Sequence, residues 1–309
     1  MTTVAVPLRP VIGRRPILKA MGLIGIGSLG IQTSSAISAS LFTALGPFAV
    51  SSLRMLIAAI ILLAIFRPKL RGRSRAGWTG VIIYGVAMAA MNMSLYAAID
   101  RIPLGVAVTL EFLGPCVVAL AASRRIREGL CAIAALIGVV LISGPGGYFD
   151  LWGYAFGLAA AVFFGLYTIF AAKVGKTEEG LSGLALSVTI AGLLTLPWGL
   201  PEIGNVQPPE WGLLAVSAAV GVVIPYSVDT IAGRITSARV IGTLFSIDPV
   251  MGALIGLLLL GQTMDPAAIV GIIVVSIAGA LVVWISKAPT ARAKIGKPSD
   301  EWPTPSGMP

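Results

Sequence analysis

A chain of 309 residues that is 57% hydrophobic and only 11% charged is too apolar for a soluble globular protein. Its net charge of +9 would suit a nucleic-acid partner, but the bases fall in short segments between long apolar runs, so a bilayer explains them without one. The absence of histidine excludes zinc proteases and rhomboid-like proteases, which need it.

The chain opens on a polar segment, 1–18, whose "GRRPILK" resembles a twin-arginine export signal and is followed by a cleavage-like "SAISA". Nine more apolar runs follow the first, so this run reads as an uncleaved first helix. Each run is about long enough to cross a ~30 Å hydrocarbon core. The expected spans are 19–43, 47–66, 78–98, 103–122, 129–146, 152–172, 181–200, 211–232, 238–260 and 265–286. With the N-terminus in the cytoplasm, all but two of the 22 Lys and Arg fall inside, leaving Arg101 outside and Arg54 within a span. The positive-inside rule then places both termini in the cytoplasm and agrees with an even number of spans. Cys116 and Cys131, toward the cytoplasmic side of spans four and five, read as small packing residues.

The fold expected is an all-α membrane protein, ten transmembrane helices in two inverted five-helix repeats. In "MSLYAAIDRIPLGVAVTLEFLGP" and "YSVDTIAGRITSARVIGTLFSIDP", Ser94 aligns with Ser227 and Arg101 with Arg234. With one residue of slippage, Thr109-Leu110 aligns with Thr243-Leu244 and Pro115 with Pro249. Five is odd, so the second copy enters the membrane from the other side, as in many secondary transporters, and the site is expected near the midplane. The parts are a cytoplasmic segment (1–18), a first repeat (19–146), an external linker (147–151), a second repeat (152–286) and a disordered cytoplasmic tail (287–309).

Ionisable residues inside a membrane are costly and usually face a bundle interior or water. Four occur here: Arg54, Glu111, Asp229 and Asp248. At 1.5 Å per residue, Arg54 lies about 10 Å and Glu111 about 12 Å from the outer ends of their spans, so their depths match. Asp248 falls near the midplane and precedes Pro249, whose missing N–H frees a carbonyl to line a cavity. Asp229 sits nearer the cytoplasm, where Arg234 could pair with it. A structural ion pair between Arg54 and Glu111 is the alternative to function. Gln32, Ser34, Ser38, Asn92, Ser94, Tyr96, Tyr167 and Tyr226 add softer polar groups, each of which could equally serve an interhelical hydrogen bond. Gly252 and Gly256 form a GxxxG that suits tight packing within the chain.

"IQTSSAISASLFTALGPFAVSSLR", "RIPLGVAVTLEFLGP", "IPYSVDTIA" and "GTLFSIDPVMGAL" resemble the EamA-type drug/metabolite transporters, and most closely the bacterial threonine/homoserine exporters. The resemblance covers about 20–286. It implies ten helices in two inverted repeats around a central cavity, in the cytoplasmic (inner) membrane, with amino-acid export as the activity. Gln32, Arg54, Glu111, Asp229 and Asp248 fall where those exporters also carry polar or acidic groups. The family often has an acidic "GE" after span nine, where this chain reads "LGQTM" with Gln262.

An amino-acid zwitterion needs a cation for its carboxylate, which Arg54 could supply in a two-pronged contact, and acceptors for its ammonium, which Glu111 or Asp248 could supply. A proton-coupled cycle in a chain without histidine must use a carboxylate. The substrate-binding or proton-coupling candidates are therefore Arg54, Glu111, Asp248, Asp229, Gln32, Asn92, Tyr96 and Tyr226. Efflux of larger apolar or cationic metabolites is the alternative, with a roomier site and little need for Arg54. An intramembrane aspartyl protease would need "YD" and "GxGD", and the contexts here are "SVDT" and "SIDP". The partners expected are a small molecule, protons and the lipid bilayer. No enzyme activity, cofactor, metal or nucleic acid is expected, and no oligomer is required.

Overall fold

The computed structural model describes residues 14–121, helical positions at 130, 133–134, 137–138 and 141, and residues 150–175, 180–235 and 245–285. Among them there is no strand. In chain order the helices are α1 (Arg14–Ala39), the one-turn α2 (Phe42–Leu45), α3 (Pro47–Phe66), α4 (Arg75–Ile99) and α5 (Leu104–Ala121). They continue with α6 (Leu151–Gly175), α7 (Gly180–Gly199), α8 (Pro208–Ala218), α9 (Ile224–Ile235), α10 (Asp248–Leu260) and α11 (Pro266–Ile285). Five of the described helical stretches are long and apolar enough to cross a membrane: Pro47–Phe66, Arg75–Ile99, Leu151–Gly175, Gly180–Asn205 and Pro208–Ala232. Leu104–Val118, Phe245–Leu260 and Pro266–Leu281 are shorter apolar helices.

The helix ends follow from local chemistry. Pro47 starts α3 directly after Gly46 at φ 76°, and Arg67 ends it in the left-handed region at φ 40°. Ser74 caps α4 by accepting from the Gly77 N–H at 3.1 Å. Asp150 accepts the Gly153 N–H at the start of α6, with Arg101 3.9 Å away. Gln207 and Glu210 cap α8 reciprocally, with Pro208 in its first turn. Gln262 accepts the Leu104 N–H at 3.0 Å, so the loop after α10 closes the N-terminus of α5.

Four packed pairs frame the interior: α3 on α7, α5 on α10, α4 on α6, and α1 on the rod formed by α8 and α9. The GxxxG on α10 packs within the chain, with Gly252 against Val108 and Gly256 against Leu104. Among the described helices, α5 and α10 also meet at Gly105, where an added Cβ would come 2.6 Å from the Ala253 Cα.

Three spans differ from their expected form. The first begins at Arg14 and breaks into a turn at Ser40-Leu41, so the run to residue 43 is not one helix. The eighth is interrupted by a π-turn, Ala219–Val223. Pro225 has no N–H for the Gly221 carbonyl four residues earlier, and the widened turn removes that clash, with the Ile224 N–H reaching the Ala219 carbonyl. In the ninth, α10 starts only at Asp248 after a 3₁₀ turn (Phe245–Ile247), because Pro249 fits a first turn and not an interior. Cys131, Thr243, Leu244, the bases at 124–127, Lys176, Arg239, the first 13 residues and the tail lie outside the described residues, as does the Arg234 side chain.

Candidate functional site

Arg54 is 3% exposed, halfway along α3. A buried guanidinium must have its charge and its N–H groups met by the protein or by a ligand. One Nη donates to Ser34 Oγ on α1 at 3.0 Å and the other to Asn92 Oδ1 on α4. The Tyr96 ring lies beneath it, 4.6 Å from guanidinium carbon to ring centroid. Nε has no partner. Asn92 is itself held, since its Nδ2 donates to the Met88 carbonyl and to the Tyr226 hydroxyl on α9, both at 3.0 Å.

Behind Ser34 is a hydroxyl cluster joining α1, α4 and α8. Ser217 meets Ser34 at 2.8 Å and Ser38 at 2.7 Å, and the Tyr96 hydroxyl donates to Ser38 at 2.9 Å. Small residues allow this approach. A Cβ on Gly30 would come 2.6 Å from the Val220 carbonyl oxygen, and one on Gly221 would overlap the Ser34 side chain.

The acids that share a cavity with Arg54 have few partners. Arg54, Glu111, Asp229, Asp248, Gln32 and Tyr226 all line one cavity of about 40 Å³, room for a few waters. Glu111 makes no hydrogen bond to any described residue, and the structural ion pair with Arg54 is absent. Pro115 also leaves the Glu111 carbonyl without a helical donor. Asp248 Oδ1 and Gln32 Oε1 are buried without hydrogen bonds among the described residues, and the Ser28 hydroxyl lies beside the Asp248 carboxylate. Asp229 has the Tyr167 hydroxyl at 3.5 Å, the long limit of a hydrogen bond. Among the described residues no group of three or more His, Cys, Asp or Glu is placed to hold a metal ion.

Seven of the eight candidates read from the sequence meet around this cavity, and the eighth, Tyr96, reaches it through Arg54. Sequence reasoning missed Phe164 and Phe245, whose rings lie 5.8 Å apart at its edge, and Ser217, which fastens α1 to α8. It also missed Gly221, although the spacing of Gly221 to Pro225 already marks an interrupted helix.

With this geometry in place, known proteins supply the context. The threonine/homoserine exporter RhtA of Escherichia coli K12 is 30% identical over 259 residues, covering 82% of this chain and 87% of that protein. The Salmonella typhimurium LT2 protein of the same name is 31% identical over 245 residues, 77% of this chain and 82% of its own length. The EamA-like transporter family matches residues 151–285. This chain belongs to the EamA-like transporter family. A solved structure titled only "Crystal structure of protein" shares the fold, with a TM-score of 0.61 at 19% identity over 86% of this chain and 97% of its own. EamA-like membership makes the chain a membrane transporter and not an enzyme, and the apolar helices agree with that.

Proposed function

We propose that this protein exports small amino acids of the threonine/homoserine kind across the bacterial inner membrane, in exchange for protons, by alternating access. The observation that carries the reading is the division of the cavity. A guanidinium is held by Ser34 and Asn92 with its Nε unpartnered, and carboxylates without cationic partners among the described residues line the same cavity. A zwitterion completes both sides, its carboxylate on Arg54 and its ammonium among the acids. Protons would neutralise the same acids once the ammonium leaves, which couples the two fluxes through one set of groups. The name of the RhtA relatives supports amino acids over larger apolar or cationic metabolites.

The architecture proposed with it is ten spans in two inverted repeats, 19–146 and 152–286, joined outside by 147–151, with both termini (1–18 and 287–309) cytoplasmic. Matching α1 to α6, α3 to α7, α4 to the α8–α9 rod and α5 to α10 exchanges the α4–α6 pair with the pair of α1 and the rod and carries α3–α7 and α5–α10 each onto itself, which supports the two-fold relation. No oligomer is required.

Purified protein in liposomes, loaded with labelled threonine or homoserine and placed in a pH gradient, tests the function. Release driven by the gradient is expected. Release of lipophilic cations but of neither amino acid would overturn the reading in favour of drug efflux.

A further inference from the structure

The acid side of the cavity has a chemical selectivity of its own. Three helices bring acceptors there: the buried, unpartnered Gln32 Oε1 on α1 and Asp248 Oδ1 on α10, and Glu111 on α5, which makes no hydrogen bond to any described residue. They are set together by close packing, since the Gln32 oxygen would lie 3.5 Å from a Cβ on Gly252, and Gly252 packs against Val108. Gly252 is one turn beyond Asp248, and Val108 is nearly one turn before Glu111. Among the described residues Gln32 Oε1, Glu111 and Asp248 Oδ1 receive no hydrogen bond, and the Ser28 hydroxyl lies beside Asp248. Buried acceptors left in that state are costly, so a ligand that donates to all three is favoured over one that donates to two.

The geometry points to a three-acceptor pocket that reads the three N–H bonds of a primary ammonium, with Gln32 as the neutral, specificity-determining member. This rests on the amino-acid reading above and adds to it a discrimination against secondary and tertiary amines. A primary ammonium fills all three acceptors. Each N-methyl group replaces one N–H, leaves one acceptor empty and places a methyl against it. A site built around hydrogen bonds rejects analogues that lack them far more strongly than an apolar pocket rejects an extra methylene. Gln32 is suited to the neutral role, because its amide oxygen accepts but does not titrate, so it favours the ammonium in every protonation state of the two acids. The free Arg54 Nε serves the carboxylate and is no part of this selection.

The test uses the full-length protein in liposomes and labelled threonine, with unlabelled threonine, N-methylthreonine and N,N-dimethylthreonine as competitors. In the wild type, N-methylthreonine is expected to compete about tenfold or more weakly than threonine, and the dimethyl compound more weakly still. In Gln32→Leu the affinity for threonine should fall about tenfold while that for N-methylthreonine changes little, so the penalty for the first methyl shrinks. Equal competition by threonine and N-methylthreonine in the wild type would overturn the inference without any variant. So would an undiminished penalty in Gln32→Leu. Should neither labelled threonine nor labelled homoserine move at all, the amino-acid reading fails and takes the pocket with it. Threonine moving without regard to N-methylation removes the pocket alone.

Discussion

The two walls of the cavity solve the problem of buried charge in opposite ways. On the α3–α4 wall the guanidinium of Arg54 is tied to Ser34 and Asn92 and backed by Tyr96, and Asn92 is fixed in turn by Tyr226. On the α5–α10 wall, Glu111 and Asp248 are 8% and 7% exposed, and among the described residues neither Glu111 nor Asp248 Oδ1 receives a hydrogen bond. A buried ion without counter-charge is expensive, several kcal/mol even after relaxation. A wall that ties its charged group by hydrogen bonds, directly or through Asn92, to three helices is built to stay in place. One that leaves its charge open is built for an exchangeable occupant, an ammonium or a proton.

The largest expected effect lies on the open wall. Glu111→Gln and Asp248→Asn keep shape but cannot release a proton, so at least one should abolish uphill efflux driven by a pH gradient while the protein still folds and inserts. Liposome assays with and without the gradient measure this. If both variants still drive threonine uphill, the carboxylates are not the exchange site and the contrast between the walls loses its functional meaning.

The fixed wall should respond next most strongly. Arg54→Lys removes the planar two-pronged donor, and about a hundredfold loss in transport efficiency is expected at equal protein level. The double change Arg54→Gln with Glu111→Gln should not recover it, because no ion pair joins the two residues. Recovery would make them a dispensable structural pair.

Gly221→Ala tests whether the fixed wall depends on the π-turn. The new Cβ would overlap Ser34 and come within 3.0 Å of Arg54 Nη1. The half-saturating threonine concentration should rise about tenfold, with a loss of stability of about 1–3 kcal/mol. An unchanged half-saturation would show that the guanidinium is held well enough without Ser34.

Much of this contrast was legible in the sequence, for a physical reason. Charge within an apolar run is rare, so Arg54, Glu111, Asp229 and Asp248 stood out at once, and all four line the cavity. Prolines also leave a visible mark: Pro47 and Pro208 start helices where expected, within a few residues. What the sequence hid was partnership. Nothing in "SLR" says that Arg54 chooses Ser34 and Asn92 over Glu111, since those contacts join helices far apart in the chain. Ser217 was hidden for the same reason, as one small polar residue among many in an apolar helix. The breaks at Ser40-Leu41 and before Asp248 were hidden because an apolar run has no periodicity to lose where a helix stops.

The smallest effect separates two glutamines that composition cannot tell apart. Gln32 faces the open wall with its amide oxygen unpartnered, whereas Gln262 spends its oxygen on the Leu104 N–H at the head of α5. Leu104 is fully buried, so its N–H has no water to turn to. Gln262→Leu should therefore cost about 1–3 kcal/mol of stability, seen as a lower melting temperature by tryptophan fluorescence in detergent. Gln262→Glu restores the acid that the family often carries there. A carboxylate at a helix N-terminus gains from the helix dipole by about 0.3–1 kcal/mol, so this variant should melt at or above the wild type. Neither change should alter the half-saturating threonine concentration or the preference for threonine over N-methylthreonine, because α5 keeps its position as long as the protein is folded. Gln32→Leu should do the reverse, shifting the preference and leaving the melt nearly unchanged, since an orphaned acceptor is removed and no partnered one is broken. If Gln262→Leu instead changes the preference at an unaltered melting temperature, the end of α5 is coupled to the cavity, and the open wall extends beyond the residues that line it.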